Sequence, residues 1–428
     1  MAQVAVQSTD RFERKREAIL DAATDLLNTR GVKGLTLSVA AAAVDLSTTS
    51  VTYYFKRKDD LAAACMLRGI AAMMQIVQTA MAESTPQARL HALLSRYLDR
   101  VRRAAIGEAP ALPSLSDLRA LNLPQRDEVA AAYLKMFRRL RQIFEVPELA
   151  WLSRGRRTAR TQMLFEQLFW ANAWLPKYDP EDYGRVCERM YDILVGGLAA
   201  PQSRWAPLAV PMADLAPRAR QQVGRHETGR HETGRQEVGR QEMGRETFLV
   251  AATRLINARG YRGASVEKIS AELNVTKGSF YHHNDAKDDL VVACFDRTFE
   301  VMTRVQRLAM TLPGDQWTRL TSAAAALAEY QLSEHGPLLR TSALAALPEA
   351  IRQEMVKQSD RVSDRFAAMI SDGIAEGSVR PVDPFLAAQM LNANLNAGAE
   401  LGFWVPDVSQ KAAPAVFARP LLIGIFER

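Results

Sequence analysis

The sequence predicts an all-α protein built from two tandem copies of one helical unit, and three observations carry that expectation. Its long segments place apolar residues at i, i+3, i+4, i+7 and i+8, as an amphipathic helix does, and none alternates as a strand. The chain also matches itself. REAILDAATDLLNTRGVKGLT from Arg16 falls on RETFLVAATRLINARGYRGAS from Arg245, and KDDLAAAC from Lys58 falls on KDDLVVAC from Lys287. Between the copies, residues 224–244 read GRHETGRHETGRQEVGRQEMG, a glycine-punctuated stutter of the kind that separates structural units.

Composition bounds what such a chain does. A length of 428 residues exceeds one ordinary domain, and 48% apolar with 24% charged residues is the make-up of soluble globular protein, which excludes disorder throughout. Cys65, Cys187 and Cys294 are widely spaced and no histidine pair stands at zinc-ligand spacing, so neither a disulfide framework, a metal site nor a cofactor is expected. The opening MAQVAVQSTDRFERKRE lacks a signal-peptide pattern and no run of 18 apolar residues is apparent, so a cytoplasmic protein with no membrane partner is expected. A net charge of +7 favours an anionic partner.

The elements follow in order. Ile19, Ala22, Ala23, Leu26 and Leu27 form the apolar stripe of a first helix that Gly31 closes; Phe248, Ala251, Ala252, Leu255, Ile256 and Gly260 repeat it. Thr36 and Ser265 stand where an N-cap opens a second helix, and third helices at about 47–54 and 276–283 carry hydroxyl and aromatic side chains. Two short helices at a steep angle, the second presenting polar groups, is helix-turn-helix grammar. The expected domains are residues 10–62 and 244–291 as DNA-binding units, 63–200 and 292–428 as helical domains, and 201–243 as a linker. Pro201, Pro207, Pro211 and Pro217 interrupt any helix at the linker's head. Its pentapeptides read as a mobile tether, because interior glycines cost about 1 kcal/mol each against about 0.2–0.5 kcal/mol for each Glu–Arg pair.

AATRLINARGYRGASVEKISAELNVTKGSFYHHNDAKDDL, and with some wear DAATDLLNTRGVKGLTLSVAAAAVDLSTTSVTYYFKRKDDL, resemble the DNA-binding signature of the TetR family of bacterial one-component repressors. LSDLRAL at 115 and IAEGSVRPVDP at 374 fit that family's helical domain more loosely. The resemblance implies a regulator that binds a double-stranded operator and is released by a small, largely apolar effector. It implies dimerisation through the last two helices of each unit, here 162–174 with 185–198 and 386–404 with 415–426, as an intrachain pseudo-dimer. Two positions depart from the pattern. Thr52 stands where the family has a phosphate-contacting tyrosine, kept as Tyr281, and Asn284 replaces the packing phenylalanine kept as Phe55, so unequal DNA affinities are expected.

Helix N-termini and hydroxyls suit phosphate oxygens, so Thr36, Ser265, Tyr281, Lys58 and Lys287 are candidate backbone contacts; for the hydroxyls the rival role is helix capping, for the lysines a solvated surface. Candidate base readers are Thr48, Thr49, Ser50 and Tyr53 in the first copy and Lys277, Ser279 and His282 in the second, where Gly278 permits close backbone approach. Tyr54 and His283 could reach either backbone or base. Arg11, Arg14, Lys15 and Arg16 form either an arm along DNA or a charged helix start. Met73, Phe137, Phe165 and Trp170, then Met302, Trp317, Met369 and Phe403, are candidates to line effector cavities, with ordinary core packing as the alternative. Matching cysteines at 65 and 294 read as inert core. No phosphate loop, nucleophile elbow or convergent acid and base is present, so an enzyme is not expected. The rival function is a sensor or interaction protein of the same fold that does not read DNA.

Overall fold

The structure, a computed structural model, describes residues 2–115, 118–211, 215, 233–263, 268, 269, 271 and 287–428. It divides into two units, Met1–Gly196 with Ser342–Ala346 and Ile425–Arg428, and Gly197–Thr341 with Leu347–Gly424.

In the first unit α1 (Ala2–Gly34) turns at Gly31, whose φ of 60° is the left-handed conformation that glycine adopts without penalty. Then come α2 (Leu37–Ala42), α3 (Thr48–Tyr54) and the long α4 (Lys58–Ala80). By length and composition α4 could cross a membrane, contrary to the sequence expectation. Its apolar residues are instead core: Leu61, Cys65, Met66, Ile70, Met73 and Val77 are buried against α1 and the helices that follow. Thr85 caps α5 (Pro86–Ala105) by accepting from Ala88 N–H at 3.1 Å, with Pro86 in the first turn where its missing N–H costs nothing. Leu90, Leu93, Leu94, Tyr97 and Leu98 make its buried stripe, each contributing roughly 1.5–3 kcal/mol. Helices α6 (Gln125–Arg141), α7 (Arg154–Trp174, capped by Ser153) and α8 (Tyr183–Gly196) complete the domain. The last four residues of the chain close its core, where the buried Arg160 guanidinium donates to the carbonyls of Ile425 at 2.8 Å and Glu427 at 3.3 Å.

The second unit begins at Gly197, four residues before the expected linker at 201–243, and takes in the linker's head. Residues from Gly197 run extended over it: Ala199 bridges Val379, Ser203 Oγ donates to Ser378 O at 2.6 Å, Trp317 Nε1 donates to Arg204 O at 2.8 Å, and Leu208 N–H donates to Ser322 Oγ at 2.8 Å. The prolines do keep this stretch out of a helix, but side chains of the unit hold it in place. A second correction concerns the pentapeptides. Helix α9 spans Thr233–Gly263 and turns at Gly260 with φ 71°, so the last repeats are helical rather than tether. Nucleation is the costly step of helix formation, and the amphipathic stretch from Arg245 supplies it; extension backwards then proceeds despite the glycines. Residues 216–232 lie outside the described residues.

Helices α10 (Lys287–Met310), α11 (Gln316–Gln331, capped by Asp315), α12 (Glu349–Glu376, ended by left-handed Gly377) and α13 (Pro384–Ala397, capped by Asp383) form the second helical domain. α14 (Leu401–Trp404), a π-helical turn at Pro414–Ala418 and α15 (Arg419–Ile423) end it. Among the described residues the repeat is visible as geometry. Arg68 pairs with Glu17 at 2.8 Å, and its repeat partner Arg297 pairs with Glu246 at 2.7 Å, each tying the first helix of a DNA-binding unit to the long helix that leaves it.

Candidate nucleic-acid interface

The first copy's helix-turn-helix is built on a small apolar base. Ile19, Leu20, Ala23 and Leu27 of α1, Ala40 and Ala41 of α2, and Val51 with Phe55 at α3 are buried together with Leu61 and Ala62 of α4. Thr36 caps α2, its Oγ1 accepting from Val39 N–H at 3.1 Å and sharing a hydrogen bond with Ser38 Oγ at 3.0 Å. Ser47 caps α3 in the same way, accepting from Ser50 N–H at 3.1 Å. Between the two helices Asp45 has φ 53°, a conformation that Asp and Asn tolerate best among residues with a side chain, and its repeat partner is Asn274. Asp45→Asn is therefore expected to be neutral and Asp45→Val to lower the melting temperature of this unit, by about 1–2 kcal/mol of stability; calorimetry on both variants checks it.

With Val51 turned into the base, α3 exposes Thr48, Thr49, Thr52 and Tyr53, the last at 77%. Ser50 is half-buried and shares a 2.8 Å hydrogen bond with Ser47 Oγ, so its hydroxyl serves the cap as well as any partner. Thr52 Oγ1 donates back to Thr48 O at 2.8 Å, which commits it to its own helix. Tyr54 packs against Phe12 of α1 at 4.7 Å between ring centroids, the rings tilted by 32°, and Phe12 also meets Tyr53 edge-on at 6.0 Å. Lys58 opens α4, half-buried, beside Arg57, which is braced by Asp60.

Phe12, Ser47, Lys56 and Arg57 were not anticipated as parts of this surface. Lys56 and Arg57 are exposed next to α3, and Arg11, Arg14 and Lys15 are exposed on the turns of α1 around Phe12. The adjacent cations of FKRK were a readable signal. Phe12 was not, because nothing local says that a phenylalanine in a charged run folds back onto the recognition helix. Arg16 is different from its neighbours, its guanidinium lying 5.7 Å from the centre of the Phe55 ring, so it packs the base. The result is a short helix of hydroxyls and one exposed phenol flanked by cations, chemistry suited to base edges and phosphates. In the second copy Ser265, Lys277, Gly278, Ser279, Tyr281, His282 and His283 lie outside the described residues, as does the side chain of Lys287.

Of the effector-cavity candidates, Met73, Phe137 and Phe165 are buried and Trp170 is half-buried in the first unit. Phe137 and Phe165 stack at 5.7 Å, and Phe165 continues onto Phe169 at 5.5 Å. In the second, Met302 and Met369 are buried, while Trp317 is buried as the donor that pins Arg204 O. Phe403 is 67% exposed and lines no interior; it sits on a one-turn helix where its ring meets the edge of Trp404 at 5.2 Å. Burial pushes the Cys65 thiol up to about 11 and those of Cys187 and Cys294 up to about 12. A thiol reagent at pH 8 is thus expected to leave the folded chain unmodified and to label three cysteines after denaturation; fast labelling of the folded chain would contradict their burial.

Known proteins resemble the chain in the same places. The family profile described as bacterial regulatory proteins, tetR family, matches residues 19–65 and again 248–294, and that of a tetracyclin repressor-like C-terminal domain matches 313–400. The Transposon Tn10 TetC protein of Escherichia coli is 26% identical over 148 residues, 34% of this chain and 74% of its own length. The HTH-type transcriptional repressor DhaR of Mycobacterium sp. (strain GP1) is 29% identical over 148 residues, 33% of this chain and 73% of its own. An HTH-type regulator in the dhlA 5′ region of Xanthobacter autotrophicus is 41% identical over 91 residues, 20% of this chain and 43% of its own. Among solved structures, the regulator PfmR from Thermus thermophilus covers 42% of this chain and 99% of its own at 22% identity, with a TM-score of 0.35.

Proposed function

Because the chain belongs to the tetR family of bacterial regulatory proteins and carries that family's DNA-binding unit twice, we propose that one chain alone occupies one operator, as an intrachain pseudo-dimer, and represses until a small apolar effector releases it. The observation that supports this most is the pattern of divergence between copies. Scaffold residues agree, as in Arg16 and Arg245, Asn28 and Asn257, Gly31 and Gly260, or the two Lys-Asp-Asp-Leu segments. From Ser47 to Arg57, however, only Ser50 matches its counterpart, Ser279. A shared scaffold with two reading surfaces suits an operator with two dissimilar half-sites in fixed orientation, successive major grooves lying about 34–36 Å apart. The cytoplasm is where such an operator is met. The aromatic stack of buried Phe137 and Phe165 with half-buried Phe169 supports an apolar effector in the first unit.

Selection of bound sequences from random DNA, with light scattering of the complex, tests the reading. One chain per minimal operator with unlike halves is expected; two chains on every minimal operator would replace it with a dimer of tandems, and no enriched sequence would favour the sensor that does not read DNA. Lys58→Ala and Lys287→Ala are each expected to weaken all sequences alike and to shallow the salt dependence by about one counterion. A changed base preference at constant affinity would remove either lysine from the phosphate contacts.

A further inference from the structure

In both copies the first helix of the DNA-binding unit holds a piece of its own helical domain through one asparagine. In the first unit Asn28 Nδ2 donates to Leu112 O at 2.9 Å, while Asn28 Oδ1 accepts from Ser114 N–H at 2.7 Å. In the second, Asn257 Nδ2 donates to Leu338 O at 2.8 Å and Asn257 Oδ1 accepts from Arg340 N–H at 3.0 Å. The asparagines coincide in the repeat, whereas the segments they grip, Leu112-Pro113-Ser114 and Leu338-Leu339-Arg340, share only their first residue. What the two copies keep is recognition of backbone, a carbonyl and the amide two residues on. That needs a donor and an acceptor on one planar group, which a carboxamide supplies and a carboxylate or aliphatic side chain does not.

The middle residue of each segment shows that the arrangement is maintained by compensation. Pro113 has no N–H to satisfy, and Gly69 of α4 faces it; a Cβ at Gly69 would run into the proline ring. In the second unit Leu339 does carry an N–H, and Thr298, the repeat partner of Gly69, accepts it on Oγ1 at 2.9 Å. Donor and acceptor are present together in one copy and absent together in the other, as the cost of an unpaired buried amide requires. The second segment is held further by Gln331 Oε1, accepting from Leu338 N–H at 2.9 Å, and by Asn396, whose Nδ2 donates to Leu339 O at 3.1 Å and whose Oδ1 accepts from Thr341 N–H at 3.0 Å. It therefore joins α9 to α10, α11 and α13 at one point.

We propose that Asn28 and Asn257 are positioning residues for DNA binding. Each fixes how its DNA-binding unit leaves the helical domain, and the bracketed segment is the element through which a change in that domain reaches the recognition helix. The inference rests on the regulator reading above, and it also has a readout that does not use DNA. Spin labels placed at Thr52→Cys on α3 and Arg96→Cys on α5, in a chain whose own cysteines are buried, report the distance between the first DNA-binding unit and its helical domain. Asn28→Ala is expected to broaden that distribution at unchanged helical content. Asn28→Asp keeps the Ser114 contact, loses the Leu112 contact, and broadens it less; this variant carries the test if Asn28→Ala does not fold.

Gly69→Thr alone is expected to disturb the distance, and Gly69→Thr with Pro113→Leu to restore it. On DNA selected by the wild-type chain, Asn28→Ala should bind about tenfold more weakly with its base preference intact. A distribution as narrow in the asparagine variants as in the wild type, or an altered base preference, overturns the assignment. If the wild-type chain selects no sequence, the regulator reading fails while the distances still judge the positioning role.

Discussion

Lys277→Ala is expected to relax base preference in one half of the operator by roughly 1–3 kcal/mol and to leave the other half unchanged. Lys277 stands in the recognition segment of the second copy, where the first has Thr48. A lysine suits the paired acceptors of guanine, O6 and N7, whereas a threonine hydroxyl is a weaker and less discriminating partner. In a homodimer one substitution changes two contacts, so both half-sites relax together. In the proposed single-chain pseudo-dimer it changes one. The complementary variant is Thr49→Ala, on a residue exposed on α3, which should act only on the opposite half. Binding-site selection with each variant checks both at once, and a palindromic operator on which Lys277→Ala acts equally in both halves would end the two-reader proposal.

Replacing Arg160 by methionine should lower the stability of the first unit by about 1–3 kcal/mol, since the buried Ile425 carbonyl then loses its donor, whereas the carbonyl of exposed Glu427 can turn to water and methionine retains much of the packing volume. Arg160 is buried to 2% exposure, its guanidinium lies 5.4 Å from the Trp151 ring centre, and it grips Ile425 O and Glu427 O. Ile425 N–H in turn donates to Leu194 O at 2.8 Å, and Phe426 meets Phe144 at 5.9 Å. Deleting Ile425–Arg428 should destabilise more than the substitution, because it strips the acceptors from a buried cation as well as removing apolar contacts. A chain of two units need not unfold in one step, so hydrogen exchange resolved along the chain is the measurement. Loss of protection in α7 and α8 is expected, with the core of the second helical domain retaining its own. Unchanged exchange in α7 would show that the C-terminal residues are dispensable to the first unit.

Periodicity, caps and the repeat were legible because they are local: the stripe from Ile19 to Leu27, the glycines at 31 and 260 and the N-cap at Thr36 each follow from a few neighbouring residues, and each stands in the structure as expected. The family of DNA-binding units, and the candidate reading residues on α3, could be found for the same reason. Where local arithmetic failed it failed by neglecting context. The pentapeptide glycines disfavour a helix one residue at a time, yet Thr233 onward extends one that Arg245 to Ile256 already nucleates. Phe403 has the side chain of a cavity lining but lies on the surface, since hydrophobicity does not say which way a one-turn helix faces.

Sequence by itself determined that this chain carries two helix-turn-helix units on a common scaffold with mostly unlike residues at 47–57 and 276–286, because duplication and helical period are written in consecutive residues. Only the tertiary structure decided that Phe12 braces Tyr54, that Trp317 pins the head of the linker, that Arg160 closes the first unit on residues 265 positions away, and that Asn28 and Asn257 each bracket a segment of their own helical domain. These are hydrogen bonds and ring contacts between groups remote in the chain. Their partners are chosen by where the packed helices bring unsatisfied backbone groups, and that is a property of the assembled core that no window of sequence contains.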